Sequence, residues 1–232
     1  NISNEIKKIS NCKKELCWNN IQCIKNNLNH QENKDFINSF KPVMPKDWYK
    51  NPNTWLNTTN IDNVMEQYEK KYDKFKYLGT SSIDFNLKED GKCIVHDELC
   101  KIDVLDLMQD YDSLGLVLNT DKHNERGEHW FSIFIDLKGK NRNIPTIYYF
   151  DSAKSEPTEE IVQFVNKLKG QYGRLDFLYN DIKHQYGNTE CGIYALHFLT
   201  EMLKGRKFKN YLKRKLNDKQ IEKYRKKFFI KK

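Results

Sequence analysis

The sequence predicts an α+β domain in which helices flank a central mixed sheet. Three observations carry that reading. Apolar runs of strand length recur through the centre of the chain, one strongly apolar segment of helical length follows at 191–203, and amphipathic helical stretches lie on either side. With 232 residues the chain is long enough for one sizeable core, and contents of 38% hydrophobic and 13% aromatic residues argue against disorder.

Residues 1–45 read as short amphipathic helices rich in Asn and Lys, with Ile21, Ile24 and Leu28 as an apolar stripe. Pro42 and Pro45 interrupt that pattern. They divide the chain into an N-terminal helical extension, 1–45, and a main domain, 46–232. Thr59 or Asn60 is expected to cap a helix carrying Ile61, Val64, Met65 and Tyr68. Residues 81–100 mix loops and short elements without a clear period.

Leu114–Leu118, Trp130–Ile135 and Thr146–Phe150 are predicted strands, apolar on both faces as central strands under helices are. The polar stretch 119–128 and a turn at 139–143 separate them. Pro157 opens a helix continued by 159–167, and Leu175–Tyr179 reads as an edge or fourth strand. Ile193, Ala195, Leu196, Leu199 and Leu203 give Cys191–Leu203 the signature of a buried helix. Basic helices are expected over 206–216 and 218–229.

The net charge of +8 is unevenly placed. Residues 204–232 hold 14 Lys and Arg against Asp218 and Glu222, which leaves the rest of the chain acidic. Such a pole suits a solvated helical face, or a hold on an anionic membrane surface, an acidic protein or nucleic acid, the last as nonspecific association with DNA. No run approaches the length of a membrane span. An opening Asn1 in place of methionine suggests a trimmed or matured chain. Six cysteines without a secretion signal fit a reducing compartment and ordinary buried thiols. Cys12, Cys17 and Cys23 fall near helical spacing, while Cys93, His96 and Cys100 cluster loosely. Neither group has the paired spacing of a zinc finger, so no metal or cofactor is expected.

The polar residues at the edges of these apolar segments carry the chemistry. Cys191 stands where a loop becomes a helix, and unpaired N–H groups and the positive dipole end favour a thiolate there. Gly192 leaves room beside the sulfur for a carbonyl. His129 begins a strand after a polar loop, and Asp151 ends another. If the strands are neighbours, the carboxylate can orient the imidazole toward Cys191. Gln185 and the Cys191 N–H are candidate oxyanion donors. His123, His184 and His197 are the competing bases. Together these residues supply nucleophile, base, orienting acid and oxyanion donor, the parts needed to cleave an acyl bond.

The strings Gly127-Glu128-His129-Trp130, Tyr149-Phe150-Asp151-Ser152-Ala153 and Gln185 through Gly192 resemble the Ulp1/SENP-type, adenain-like cysteine peptidases. Trp55-Leu56-Asn57 is similar to that family's early Trp-Leu segment. Val117-Leu118-Asn119-Thr120-Asp121 and Asn188-Thr189-Glu190-Cys191-Gly192 look closest to the viral branch, which includes polyprotein proteases of large DNA viruses such as African swine fever virus. The resemblance spans roughly residues 50–203 and implies a papain-like, Ulp1-like fold. It also implies a thiol endopeptidase with Cys191 as nucleophile, His129 as base, Asp151 as acid and Gln185 in the oxyanion hole. Trp130 would wall a narrow substrate channel beside Gly192. Glu190 departs from the family's usual Asp before the cysteine.

The substrate so implied is a viral structural polyprotein cut after Gly-Gly, in a virion or in the host cytoplasm at a viral factory. Removal of a SUMO-type modifier is the alternative, and an inactive binding protein on the same fold is the third reading.

Overall fold

The computed structural model describes residues 15–18, 21–38 and 40–231. The Cys12, Cys17 and Cys23 group lies partly outside them. Three short helices come first: α1 (Glu15–Trp18), α2 (Gln22–Asn27) and α3 (His30–Asn38). Trp18 and Phe40 make a small core with Ile21, Ile24 and Phe36 around it. Gln67 donates to the Phe40 carbonyl and ties that core to the next helix.

A 3-10 turn (Lys46–Tyr49) leads to α4 (Thr58–Lys71). Its cap is Asn57, slightly earlier in the chain than expected. Asn57 Oδ1 accepts from the Asn60 N–H at 2.9 Å, and Asn60 Oδ1 accepts from the Asn57 N–H at 3.2 Å. This reciprocal pair satisfies two donors that a helix start leaves open.

The strand β1 (Phe75–Ser82) follows, then a two-stranded ribbon of β2 (Lys88–Glu89) and β3 (Lys92–Cys93), and helices α5 (Asp97–Cys100) and α6 (Val104–Asp110). The three predicted strands are β4 (Ser113–Asn119), β5 (Trp130–Asp136) and β6 (Thr146–Phe150). Beyond them lie α7 (Glu159–Tyr172), β7 (Asp176–Tyr179) and α8 (Cys191–Leu203). Short helices α9 (Phe208–Lys213), α10 (Asp218–Glu222) and α11 (Arg225–Phe228) complete the described chain.

The sheet order is β1-β4-β5-β6-β7, with parallel pairs at both edges and antiparallel pairs in the middle. Side chains alternate between the faces. Trp130, Phe134, Tyr148 and Phe150 meet α4 and α8 on one side. Phe131, Ile133, Ile135 and Tyr149 meet Ile161, Phe164, Val165 and Leu168 of α7 on the other. All of β5 and β6 is buried, the reason their sequences are apolar without alternation.

Two expectations need correction, and one strand carried no sequence signal. β1 is an edge strand that the pattern did not reveal, because a register shift between Tyr77 and Thr80 and the positive φ of Gly79 break its period. The basic tail is not a set of long helices; α9, α10 and α11 have six, five and four residues. Cys93 and Cys100 are joined in a disulfide rather than being free thiols, with Cα atoms 6.1 Å apart. His96 between them caps α5 by accepting from the Leu99 N–H at 3.3 Å.

Candidate active site

One end of the molecule gathers the start of β5, the end of β6 and the N-terminus of α8. Antiparallel pairing brings the first two together, since Ser132 stands opposite Phe150. Packing of α8 on β5 brings the third.

His129 Nε2 lies 2.9 Å from Asp151 Oδ1, and Cys191 is the other polar group that acts on the imidazole. With Nε2 committed to the carboxylate, Nδ1 is left for the sulfur. Burial alone would lower the histidine's pKa. The hydrogen bond to the Asp151 carboxylate and its negative charge, with Cys191 acting in the same direction, outweigh it and lift the value to about 10. Cys191 is buried and is the free cysteine among the described residues. No side chain caps α8, so its first-turn N–H groups are not taken by a capping oxygen.

Asp151 is fully buried and firmly held. Its Oδ1 also accepts from the Ala153 N–H at 2.7 Å. Asn180 brackets its backbone, accepting from the Asp151 N–H at 2.9 Å and donating to the Asp151 carbonyl at 2.7 Å. Asn180 sits just past β7, and nothing in its sequence setting announced it.

The Gln185 loop is pinned to the same turn. The N–H groups of His184 and Gln185 both donate to the Ser152 carbonyl, at 2.9 and 2.8 Å. Ser152 Oγ donates to Gln185 Oε1 at 2.7 Å, and the other end of the amide faces acceptors, which marks it as the NH2. Nε2 donates to the Gly187 carbonyl at 3.1 Å and to Glu190 Oε2 at a long 3.4 Å. The buried Glu190 carboxylate also accepts from the Thr189 N–H and hydroxyl, at 3.0 and 2.8 Å. Gly187 allows this approach: a Cβ there would stand 2.6 Å from Glu190 Oε2.

Trp130 is nearly buried and donates from Nε1 to the Leu56 carbonyl at 2.8 Å. It lines an open cleft of about 470 Å³ with the buried Leu56 and Asn119, Ser82, Arg126 and the exposed Trp55. Gly192 has a different surrounding from the one expected. A Cβ on it would stand 2.9 Å from Leu56 Cβ, so its missing side chain admits Leu56.

The rival histidines are engaged elsewhere. His123 pairs with Asp84 at 2.6 Å on the surface. His184 stacks on Tyr211, and burial, with Lys215 nearby, pushes its pKa down to about 4. His197 Nδ1 is hydrogen-bonded to the Tyr211 hydroxyl at 3.0 Å, and its pKa is likewise pushed to about 4, chiefly by burial.

Residues 54–232 match a family model described as the Ulp1 protease family, C-terminal catalytic domain. The chain belongs to the Ulp1 protease family. It is 29% identical over 181 residues to a protein named as a thiol protease in Acanthamoeba polyphaga mimivirus, covering 75% of this chain and 56% of that one. The chain thus spans little more than half of that relative. It is 27% identical over 205 residues to a SUMO-1 cysteine protease of African swine fever virus, covering 83% and 72%. The crystal structure of an African swine fever virus protease shares its fold, with a TM-score of 0.73 over 95% of this chain and 84% of that one at 24% identity. Ulp1-family membership makes this a cysteine-protease domain and agrees with the expected α+β class.

Proposed function

We propose that the chain is a thiol endopeptidase in which Cys191 attacks, His129 moves the proton, Asp151 orients His129 and Gln185 helps to hold the oxyanion. The observation that carries this reading is the position of His129, hydrogen-bonded to a fully buried carboxylate on one side, with the free cysteine as its other polar neighbour. The Asp151 carboxylate stabilises the imidazolium that forms when His129 takes the thiol proton.

The thiolate of Cys191 adds to the scissile carbonyl. The oxyanion is met by the Cys191 N–H and by the Gln185 proton now weakly shared with Glu190. Imidazolium gives its proton to the leaving amine as the C–N bond breaks and a thioester remains. Water, deprotonated by the neutral imidazole, adds to the thioester, and the thiolate leaves with release of the acid. Every group these steps call on is a side chain, a backbone N–H or water.

We further propose a substrate with Gly-Gly before the scissile bond, drawn across the cleft between Trp55 and Trp130, and a viral polyprotein as its source. The similarity to viral proteases supports that source. A SUMO-type modifier is the second reading, favoured by the name of the African swine fever virus relative. The basic segment would add a nonspecific hold on DNA at a viral factory or in the virion, through exposed side chains such as Lys209, Lys213, Lys219 and Lys226.

Mass spectrometry of Gly-Gly peptides and of a ubiquitin-like fusion, with Cys191→Ala and His129→Ala as controls, separates these readings. Cleavage after Gly-Gly that both variants lose supports the peptidase, and preference for the fusion favours the modifier. Equal cleavage of bulky dipeptides refutes the channel. Turnover surviving Cys191→Ala refutes the nucleophile. DNA retention that does not weaken with salt refutes the basic hold.

A further inference from the structure

The basic segment after α8 reaches back to the active site through its side chains that are not basic or not exposed. Asp218, at the start of α10, accepts through Oδ2 from two consecutive backbone N–H groups, Tyr186 at 3.0 Å and Gly187 at 2.8 Å. These are the two residues directly after Gln185. Its Oδ1 lies 3.0 Å from the Tyr194 hydroxyl, one turn along α8 from Cys191. A single carboxylate therefore links the loop that presents the glutamine to the helix that presents the cysteine.

Arg225 of α11 makes a second set of ties. Its guanidinium is buried and lies over the Trp48 ring at 4.6 Å. It donates to the Thr54 carbonyl at 2.8 Å and to the Thr189 carbonyl at 3.3 Å. Thr54 precedes Trp55 of the cleft, and Thr189 lies two residues before Cys191. Glu222 neutralises the guanidinium, with Nε to Oε2 at 2.6 Å. The segment is anchored beneath by Phe208, Tyr211, Ile221 and Phe228 in the same core as α8.

We propose that Asp218 is a positioning residue for the peptidase reaction: by fixing the loop after Gln185 to α8, it holds the Gln185 amide in register with Cys191, while Arg225 does the same for the cleft strap at Thr54. This rests on the peptidase reading above. Hydrogen bonds from two adjacent amides to one carboxylate are charge-assisted and fix the loop's direction as well as its distance. A displacement of an oxyanion donor by a fraction of an ångström weakens it where charge develops, without disturbing the thiol–imidazole pair. That pair is built by the pairing of β5 with β6 and the packing of α8 on β5, contacts in which Asp218 takes no part.

The test uses the full chain carrying Asp218→Ala, Asp218→Ser or Asp218→Asn. Three readouts are compared with wild type: kcat and KM on a Gly-Gly peptide, and the rate of Cys191 alkylation by iodoacetamide. Ala and Ser cannot bridge both amides, so kcat falls by about ten- to hundredfold, less than for outright removal of an oxyanion donor. KM stays within about twofold and alkylation keeps its wild-type rate, because the nucleophile is unaltered. Asn retains an acceptor oxygen and recovers most of kcat.

Wild-type turnover in Ala and Ser overturns the proposal. So does a parallel fall of turnover and alkylation, which would mark Asp218 as a general support of the fold. If Ala does not fold, the Ser and Asn variants decide by the same comparison. Failure of the peptidase reading looks different: wild-type chain and Cys191→Ala are then equally silent.

Discussion

Replacing Gly192 by alanine tests whether the structure's account of that residue or the sequence's is right. A glycine kept to leave space beside the sulfur would accept a methyl group at small cost to stability. In the structure the new Cβ would lie 2.9 Å from Leu56 Cβ and 3.0 Å from its Cδ1. Carbon atoms in contact prefer about 3.5–4.0 Å, so both approaches overlap by roughly half an ångström or more. Leu56 Cβ is attached directly to the backbone and cannot swing away as a side-chain tip would. The Leu56 carbonyl, moreover, holds Trp130 Nε1. Overpacking of this kind costs about 1–3 kcal/mol. A value of about 2 kcal/mol corresponds to a fall in Tm of roughly 4–8 °C for a domain of this size. Thermal unfolding of wild type, Gly192→Ala, Leu56→Ala and the double variant forms a cycle. The double variant is expected to be more stable than the sum of the singles predicts, by about 1 kcal/mol, because shortening Leu56 removes the Cδ1 overlap with the new methyl group. A Tm for Gly192→Ala within about 1 °C of wild type, or strict additivity in the cycle, would refute the packing argument.

Asp151→Asn removes a charge beside His129 while keeping an oxygen where Oδ1 accepts. The histidine's folded pKa of about 10 lies above the ordinary 6.5, so its stabilisation is complete below 6.5 and disappears as pH rises through 10. The stability deficit of Asp151→Asn should therefore be largest near pH 6, about 2 kcal/mol after allowing for the share owed to Cys191, and shrink toward pH 10; a deficit that grows with pH in urea unfolding contradicts the ion pair. The alkaline limb of the Gly-Gly peptide rate should also move to lower pH in that variant. His184→Phe preserves ring packing against Tyr211 and removes a buried Nε2 with no partner. The folded pKa of His184, about 4, lies below its unfolded value, so wild type loses stability as pH falls from 6.5 toward 4. The variant should match wild type at pH 7 and exceed it by roughly 1 kcal/mol at pH 4.5, and parallel denaturation curves at both pH values would refute this.

Much of the fold was legible because burial writes itself into local pattern. The runs at 114–118, 130–135 and 146–150 became β4, β5 and β6, and the apolar stretch from Cys191 became α8. These elements are covered on both faces, so their sequences had to be apolar throughout. The candidate site was legible for a related reason: His129, Asp151 and Cys191 each sit at the end of such an element, where a polar side chain can leave the core. β1 was hidden by its register shift, and the Cys93–Cys100 bond by the absence of a local signal for pairing.

Sequence by itself determined which segments are buried, where each meets its polar boundary and which chemical groups stand there. Tertiary structure alone decided what those groups touch. Gly192 serves Leu56, the Ser152 hydroxyl and carbonyl fix Gln185 and its loop, and a segment dense in lysine places Asp218 and Arg225 against the site. Arg225 and Thr54 are 171 residues apart. Periodicity reports how a residue sits relative to its own helix or strand, whereas such a contact exists only once the sheet order and the packing of α8 have brought distant segments to the same end of the molecule.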